Sequence, residues 1–173
     1  MDLLVNVAQL LKEDVGATRK LAVDVPQLEL EAEPPASVKG SLLLTHIDQG
    51  VWVTGPVAIS TDSTCSRCLV PFTSWLQVEL DDVFLPLVDP KTGARRPRGD
   101  DTTADMASID DHHVLDLSEP LRQYRRAAMP LAPVCRDDCK GICAHCGADL
   151  NASTCKCTAA PDPRWASLRE LLT

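Results

Sequence analysis

The cysteines constrain this chain more than any other feature. There are eight in 173 residues, and they fall in two places: Cys65 and Cys68 form an isolated C-x-x-C, whereas Cys135, Cys139, Cys143, Cys146, Cys155 and Cys157 crowd into one short stretch. Disulfide-stapled domains spread their cysteines so that bridges close long loops, and they normally follow a secretory leader. Here the start, Met1-Asp2-Leu3-Leu4-Val5-Asn6, has an acid at position 2, no basic leader and no small-residue cleavage site, and reads as that of a cytoplasmic protein. A bridge within Cys155-Lys156-Cys157 would be strained, whereas the same triplet makes a good chelating arm.

Zinc supplies the positive argument. A structural site takes four soft ligands in a tetrahedron, and a C-x-x-C turn places two thiolates on one ion while backbone N–H groups donate to the sulfurs. In Cys143-Ala144-His145-Cys146-Gly147 the glycine permits the positive φ of a tight knuckle; Cys65-Ser66-Arg67-Cys68-Leu69 lacks it, but lies between two strand-like segments, where a hairpin tip would display both sulfurs. Eight ligands divide into two sets of four. In one division Cys143, Cys146, Cys155 and Cys157 close a local C-x2-C-x8-C-x-C ribbon, and Cys65 and Cys68 meet Cys135 and Cys139 in a long-range staple. In the other, Cys135, Cys139, Cys143 and Cys146 form one site; spacing leaves both open. Two structural zinc ions are the expectation. A thioredoxin-like pair at Cys65 and Cys68 would need a helix N-terminus, and the following Leu69-Val70-Pro71-Phe72-Thr73 reads as a strand. An iron–sulfur cluster would draw on the same thiolates.

Charge and composition bound the partners. The formal net charge is −8, and since four thiolates around Zn²⁺ carry −2, two such sites would bring it to −12. A chain this acidic is repelled by phosphate backbones unless its basic residues gather on one face, so non-specific nucleic-acid binding is not expected. No run approaches the length of a membrane span. At 45% hydrophobic residues, one compact domain with a small appended module is expected.

The pattern along the chain reads as α+β: mainly antiparallel β-sheet with few helices and a C-terminal zinc-ribbon-like cysteine module. Leu28, Leu30 and Ala32 alternate with Glu29, Glu31 and Glu33. Leu42-Leu43-Leu44 leads through the turn Asp48-Gln49-Gly50 into Val51, Val53, Val57 and Ile59, and Leu76, Val78, Leu80 and Phe84 share one face of a further strand. Val7 to Asp14 reads as a short helix ending near Gly16. The expected division is a β-rich domain over 1–88 with the C-x-x-C hairpin, a mobile loop over 89–113, and over 114–173 a helix, the cysteine module and a C-terminal helix packed back on the sheet.

Within the loop, Arg95, Arg96 and Arg98 form a basic run best read as solvated, and His112-His113 has no nearby pair to complete a metal site. Ser118 suits an N-cap and Pro120 the first turn of a helix from about Glu119 to Ala128. Its Arg122, Arg125 and Arg126 fall at i, i+3 and i+4, either as an acid-paired face or as a small anionic docking patch for a partner. The tail Asp162–Leu172 reads as a helix with Trp165, Leu168, Leu171 and Leu172 on its packing face.

At this point the residues resemble a family. Cys65-x-x-Cys68-Leu69, Asp116-Leu117 before a helix, Pro130 to Cys135, Cys139-Lys140-Gly141-Ile142-Cys143-x-x-Cys146-Gly147-x-x-Leu150-Asn151, Cys155-x-Cys157 and Asp162-Pro163-Arg164-Trp165-Ala166-x-Leu168 are similar to the YceD family of bacterial and plastid large ribosomal RNA subunit accumulation proteins. Ile142 and Ala144 depart from leucine and proline, which the family often has there. The resemblance implies a non-enzymatic role in biogenesis of the large ribosomal subunit, with accumulation of its RNA, and a link to a small ribosomal protein. It implies no small-molecule substrate. It also implies that the first C-x-x-C and a pair like Cys135 and Cys139 can occur without the later cluster, in keeping with the two-site division.

An acidic zinc protein could serve such a role by binding a basic ribosomal protein or assembly intermediate, or by docking RNA through the arginine face and the zinc module. A catalytic zinc needs an open position and a general base; thiolates here can fill every position, and His145 lies inside its own C-x-x-C. The chief alternative is a zinc-thiolate redox sensor, because C-x-C with C-x-x-C can oxidise as a unit.

Overall fold

Alternating apolar residues build seven strands of the described residues into one sheet. The computed structural model describes residues 3–30, 33–89, 91–95, 108–157 and 164. Its strands are β1 (Leu4–Asn6), β2 (Thr18–Leu30), β3 (Glu33–Ile47), β4 (Gly50–Thr64), β5 (Pro71–Pro86), β6 (Ser108–Ile109) and β7 (Val114–Asp116), followed by one helix, α1 (Ser118–Ala128). Their order across the sheet is β1-β7-β6-β5-β4-β3-β2. Strands β2 to β5 form an antiparallel meander, and β5 and β6 make a parallel pair, Leu85 opposite Ser108 and Pro86 opposite Ile109. No helix among the described residues is long and apolar enough to cross a membrane.

Two compact units divide the chain: Met1–Asp62 with Thr73–Leu131, and Ser63–Phe72 with Ala132–Thr173. In the first, every second residue of the meander enters the core. Val38, Leu42 and Leu44 of β3, Val51, Val53, Val57 and Ile59 of β4, and Leu80 and Phe84 of β5 are buried with Leu115, Leu117 and Leu121. The Asp48-Gln49 turn closes the β3–β4 hairpin, with Ile47 opposite Gly50.

The structure corrects several local expectations. Val7 to Asp14 contains only a 3-10 turn, Leu10–Lys12, because the chain is drawn into the sheet soon afterwards: Gly16 N–H donates to His46 O and His46 N–H to Ala17 O. The N-cap of α1 is Leu117; Asp116 Oδ1 accepts from Ser118 N–H, and Ser118 Oγ is taken by Leu3 N–H. Of the loop expected over 89–113, residues 89, 91–95 and 108–113 are described. Asp89 Oδ1 accepts from Lys91 and Thr92 N–H in a turn that brings Arg95 opposite Val88, and the chain returns as β6. Of the helix expected over Asp162–Leu172 only Arg164 is described, and Arg96 and Arg98 lie outside the described residues.

Candidate metal centres

In the second unit, backbone bonding shapes both C-x-x-C segments into the same turn. Leu69 N–H donates to Cys65 O at 2.9 Å, and Cys65 N–H to Val70 O at 3.0 Å. Gly147 N–H donates to Cys143 O at 2.9 Å, and Cys143 N–H to Ala148 O at 2.8 Å. Both turns carry a left-handed residue after the second cysteine, Gly147 at φ 72° and Leu69 at φ 60°. Glycine adopts this conformation freely, whereas a side-chain-bearing residue incurs about 1–2 kcal/mol.

The first turn is fastened to the segment around Cys135 and Cys139 through its own middle residues. Ser66 N–H donates to Pro133 O, Arg67 Nη1 to the carbonyls of Asp137 and Cys139, both at 3.0 Å, and Ile142 N–H returns to Arg67 O. Gly141, at φ 75°, lets this close approach happen, since a Cβ there would lie 2.8 Å from Arg67 O. Phe72, Val134 and Ile142 pack around Cys65, Cys68 and Cys139. Sequence reasoning gave Arg67 no role; a guanidinium between two ligand cysteines was the available signal.

The eight thiols consequently gather into two groups, Cys65, Cys68, Cys135 and Cys139, and Cys143, Cys146, Cys155 and Cys157. Within each group the sulfurs lie within 4.8 Å of one another, and all eight cysteines are free of disulfides. A tetrahedral ion with metal–sulfur bonds near 2.3 Å places its sulfurs about 3.8 Å apart. Cys65 and Cys139 Sγ are 3.9 Å apart, Cys68 and Cys135 3.7 Å, and Cys143 and Cys155 3.3 Å. The donor sets therefore fit an S4 metal ion. No histidine joins either group among the described residues. His145 is exposed, and only its backbone N–H points to a cysteine, donating to Cys143 Sγ at 3.4 Å.

The thiols of each group are electrostatically unequal. Backbone N–H groups of Cys68, then of Cys135 and Arg67, pull Cys65 down to about 6 against the effect of burial, and those of Cys146 and His145 pull Cys143 down to about 6. Burial and then the neighbouring sulfurs push Cys135 up to about 12, while Cys146 and Cys155 push Cys157 up to about 12. One thiolate is thus prepared in each group, while crowding opposes the accumulation of further negative charge that a cation would neutralise. The groups also differ in access. Cys65, Cys68 and Cys139 are buried and Cys135 partly so, whereas Cys146 and Cys157 are exposed.

The arginines of α1 do not form a single exposed patch. Arg122 pairs through Nε and Nη2 with the Glu119 carboxylate, which it holds below the ordinary range. Arg125 is only 4% exposed and donates to Pro34 O at 3.1 Å and Thr61 Oγ1 at 3.4 Å. Arg126 is exposed.

Fold and site together define a largely antiparallel β-sheet protein with two tetracysteine groups that could hold metal ions. The chain belongs to the family described as large ribosomal RNA subunit accumulation protein YceD, which matches residues 53–172. Among known proteins, it is 35% identical over 133 residues to an uncharacterized protein of Mycobacterium tuberculosis and equally to one of Mycobacterium bovis, a stretch covering 76% of this chain and 60% of each relative. An uncharacterized protein of Mycobacterium leprae is 28% identical over 137 residues, or 79% of this chain and 60% of that protein. The chain thus matches three fifths of the length of these relatives. No solved structure matches it.

Proposed function

We propose that this chain is a non-enzymatic zinc-binding factor in biogenesis of the large ribosomal subunit, supporting accumulation of its RNA by binding a basic ribosomal protein or an assembly intermediate. Family membership over residues 53–172 carries the ribosomal part of this reading. Two four-thiol groups of tetrahedral spacing support structural zinc, because a closed S4 set leaves no coordination position for a substrate.

Charge supports the choice of a basic partner. Strands β4 and β5 contain Asp62, Glu79, Asp81 and Asp82 and no lysine or arginine. On their solvent-facing side Trp52 and Trp75 are 40% and 47% exposed; Trp52 Nε1 donates to Asp81 Oδ1 and Thr73 Oγ1 to Asp62 Oδ1. Carboxylates beside aromatic faces suit lysine and arginine side chains, through charge pairing and cation–π contact. The test is affinity capture from RNase-treated lysate at low and high salt. Salt-sensitive recovery of a large-subunit ribosomal protein is the expected result, and capture that disappears with RNase would overturn the protein-binding reading.

The exposure of Cys146 and Cys157 favours one second reading, in which the outer group, Cys143, Cys146, Cys155 and Cys157, oxidises, releases its ion and thereby reports redox state, while the inner group, Cys65, Cys68, Cys135 and Cys139, keeps its own. Mild peroxide would then release one equivalent of zinc and alter partner binding. Retention of both ions under that treatment would sink it.

A further inference from the structure

Residues 141–150, which carry Cys143 and Cys146 of the second group, form a small hairpin. Leu150 N–H donates to Gly141 O, Ile142 bridges Asp149, and the Cys143–Gly147 turn is its tip. Cys139 of the first group precedes this hairpin, and Asn151 immediately follows Leu150 at its other end. The Asn151 side chain engages four partners there. Oδ1 accepts from Lys140 N–H and Arg136 Nη2, each at 2.8 Å, while Nδ2 donates to Asp149 Oδ1 at 2.8 Å and to Cys139 Sγ at 3.6 Å. An amide offers two donors and two lone pairs, and all are used.

We infer that Asn151 is a positioning residue that couples the two groups, so that an ion held by Cys143, Cys146, Cys155 and Cys157 strengthens metal binding by Cys65, Cys68, Cys135 and Cys139. The segment carrying Asn151 is anchored before it by Cys143 and Cys146 and after it by Cys155 and Cys157, so an ion on those four sulfurs fixes the chain on both sides. The fixed Asn151 then does two things for the first group. Its Nδ2 donates to Cys139 Sγ, and its Oδ1 accepts from the Lys140 N–H and the Arg136 guanidinium, residues on either side of Cys139. Donors to ligand sulfurs and the groups that orient ligands commonly govern affinity by 10- to 100-fold, roughly. Binding linkage is reciprocal, so an ion in the first group equally favours the second.

The inference rests on reading both groups as metal sites, and one experiment separates the two claims. The 173-residue chain is titrated with cobalt(II), whose thiolate charge-transfer band reports S4 binding, and the first-group affinity is read by chelator competition; a Cys65→Ser/Cys135→Ser protein identifies its signal. Wild type failing to take up cobalt in S4 geometry would overturn the metal reading and the coupling with it. With two ions bound by wild type, Asn151→Asp, which keeps Oδ1 but replaces the donor to Cys139, is expected to weaken the first group by about 10-fold or more. Cys146→Ser/Cys157→Ser should do the same, and combining it with Asn151→Asp should add little. Asn151→Ser provides a second variant, and far-UV circular dichroism matching wild type shows that the sheet is intact. Wild-type affinity in both Asn151 variants, or losses that multiply in the combined protein, would overturn the coupling.

Discussion

Replacing Leu69 by glycine and, separately, by alanine isolates the conformational cost of the first cysteine turn. Leu69 sits at φ 60° and is 60% exposed, so both substitutions remove the same largely exposed side chain beyond Cβ. Alanine retains the left-handed penalty of about 1–2 kcal/mol. Glycine removes it and adds about 0.5–1 kcal/mol of backbone entropy lost on folding. Glycine should therefore exceed alanine by roughly 0.5–1 kcal/mol, the reverse of their order in an ordinary helix or strand. Gly147 occupies the equivalent place at φ 72°, with nothing within 4 Å of a built Cβ, so Gly147→Ala should lose a similar amount from conformation alone. Guanidinium unfolding at a fixed free zinc concentration supplies the midpoints, since metal binding and folding of such modules are linked. Leu69→Ala equal to or more stable than Leu69→Gly would refute the reasoning, and a neutral Gly147→Ala would refute its extension to the second turn.

Three further outcomes follow from the same geometry. Arg125→Ala should destabilise the first unit by about 2–3 kcal/mol through loss of charged hydrogen bonds to Pro34 O and Thr61, whereas Arg126→Ala should fall within about 0.5 kcal/mol; thermal unfolding distinguishes them. Metal uptake at pH 7–8 should release protons, at least from Cys135 and Cys157, whose thiols sit at about 12 without an ion. Their protonated forms compete with the ion, so apparent affinity should rise with pH; calorimetry in buffers of different ionisation enthalpy counts the protons, and a buffer-independent heat would contradict this. A chelator should strip the Cys143, Cys146, Cys155 and Cys157 group before the other, because two of its cysteines are exposed, and reversed order in the single-group proteins would contradict that assignment.

What could be read from the sequence depended on the length scale of the signal. Period-two alternation marks the end of β2 at Leu28 and Leu30 and the cores of β4 and β5, while β3 shows as the apolar run Leu42-Leu43-Leu44. The same period in Leu21, Val23 and Val25 of β2 went unread beside Arg19, Lys20 and Asp24. Strands as short as Leu4–Asn6 and Ser108–Ile109 carry too few residues to show any period, and they exist because neighbouring strands supply partners. Arg125 was misleading for a related reason: its charge marks a surface residue, while the acceptors that permit burial lie 91 and 64 residues away. For the cysteines, spacing left two partitions open, and the contacts made by Arg67 and Gly141 bring about the one observed.

That partition gives the two groups different assembly requirements. Cys143 and Cys155 are 12 positions apart, whereas Cys68 and Cys135 are separated by 67 and Cys65 and Cys139 by 74. Closing a flexible loop costs about 0.6 kcal/mol more for each doubling of its length, so the longer separation adds only about 1.5 kcal/mol. The larger difference lies in what must already be formed. The outer group needs one hairpin and the Cys155–Cys157 arm, all within residues 141–157, whereas the inner group needs the turn between β4 and β5 held beside Pro133, Asp137 and Cys139. An ion at the inner group therefore adds its binding free energy to an arrangement that exists only after distant parts of the chain have come together. Its loss should destabilise global folding, while loss of the outer ion should remain a local event that reaches the inner group through Asn151.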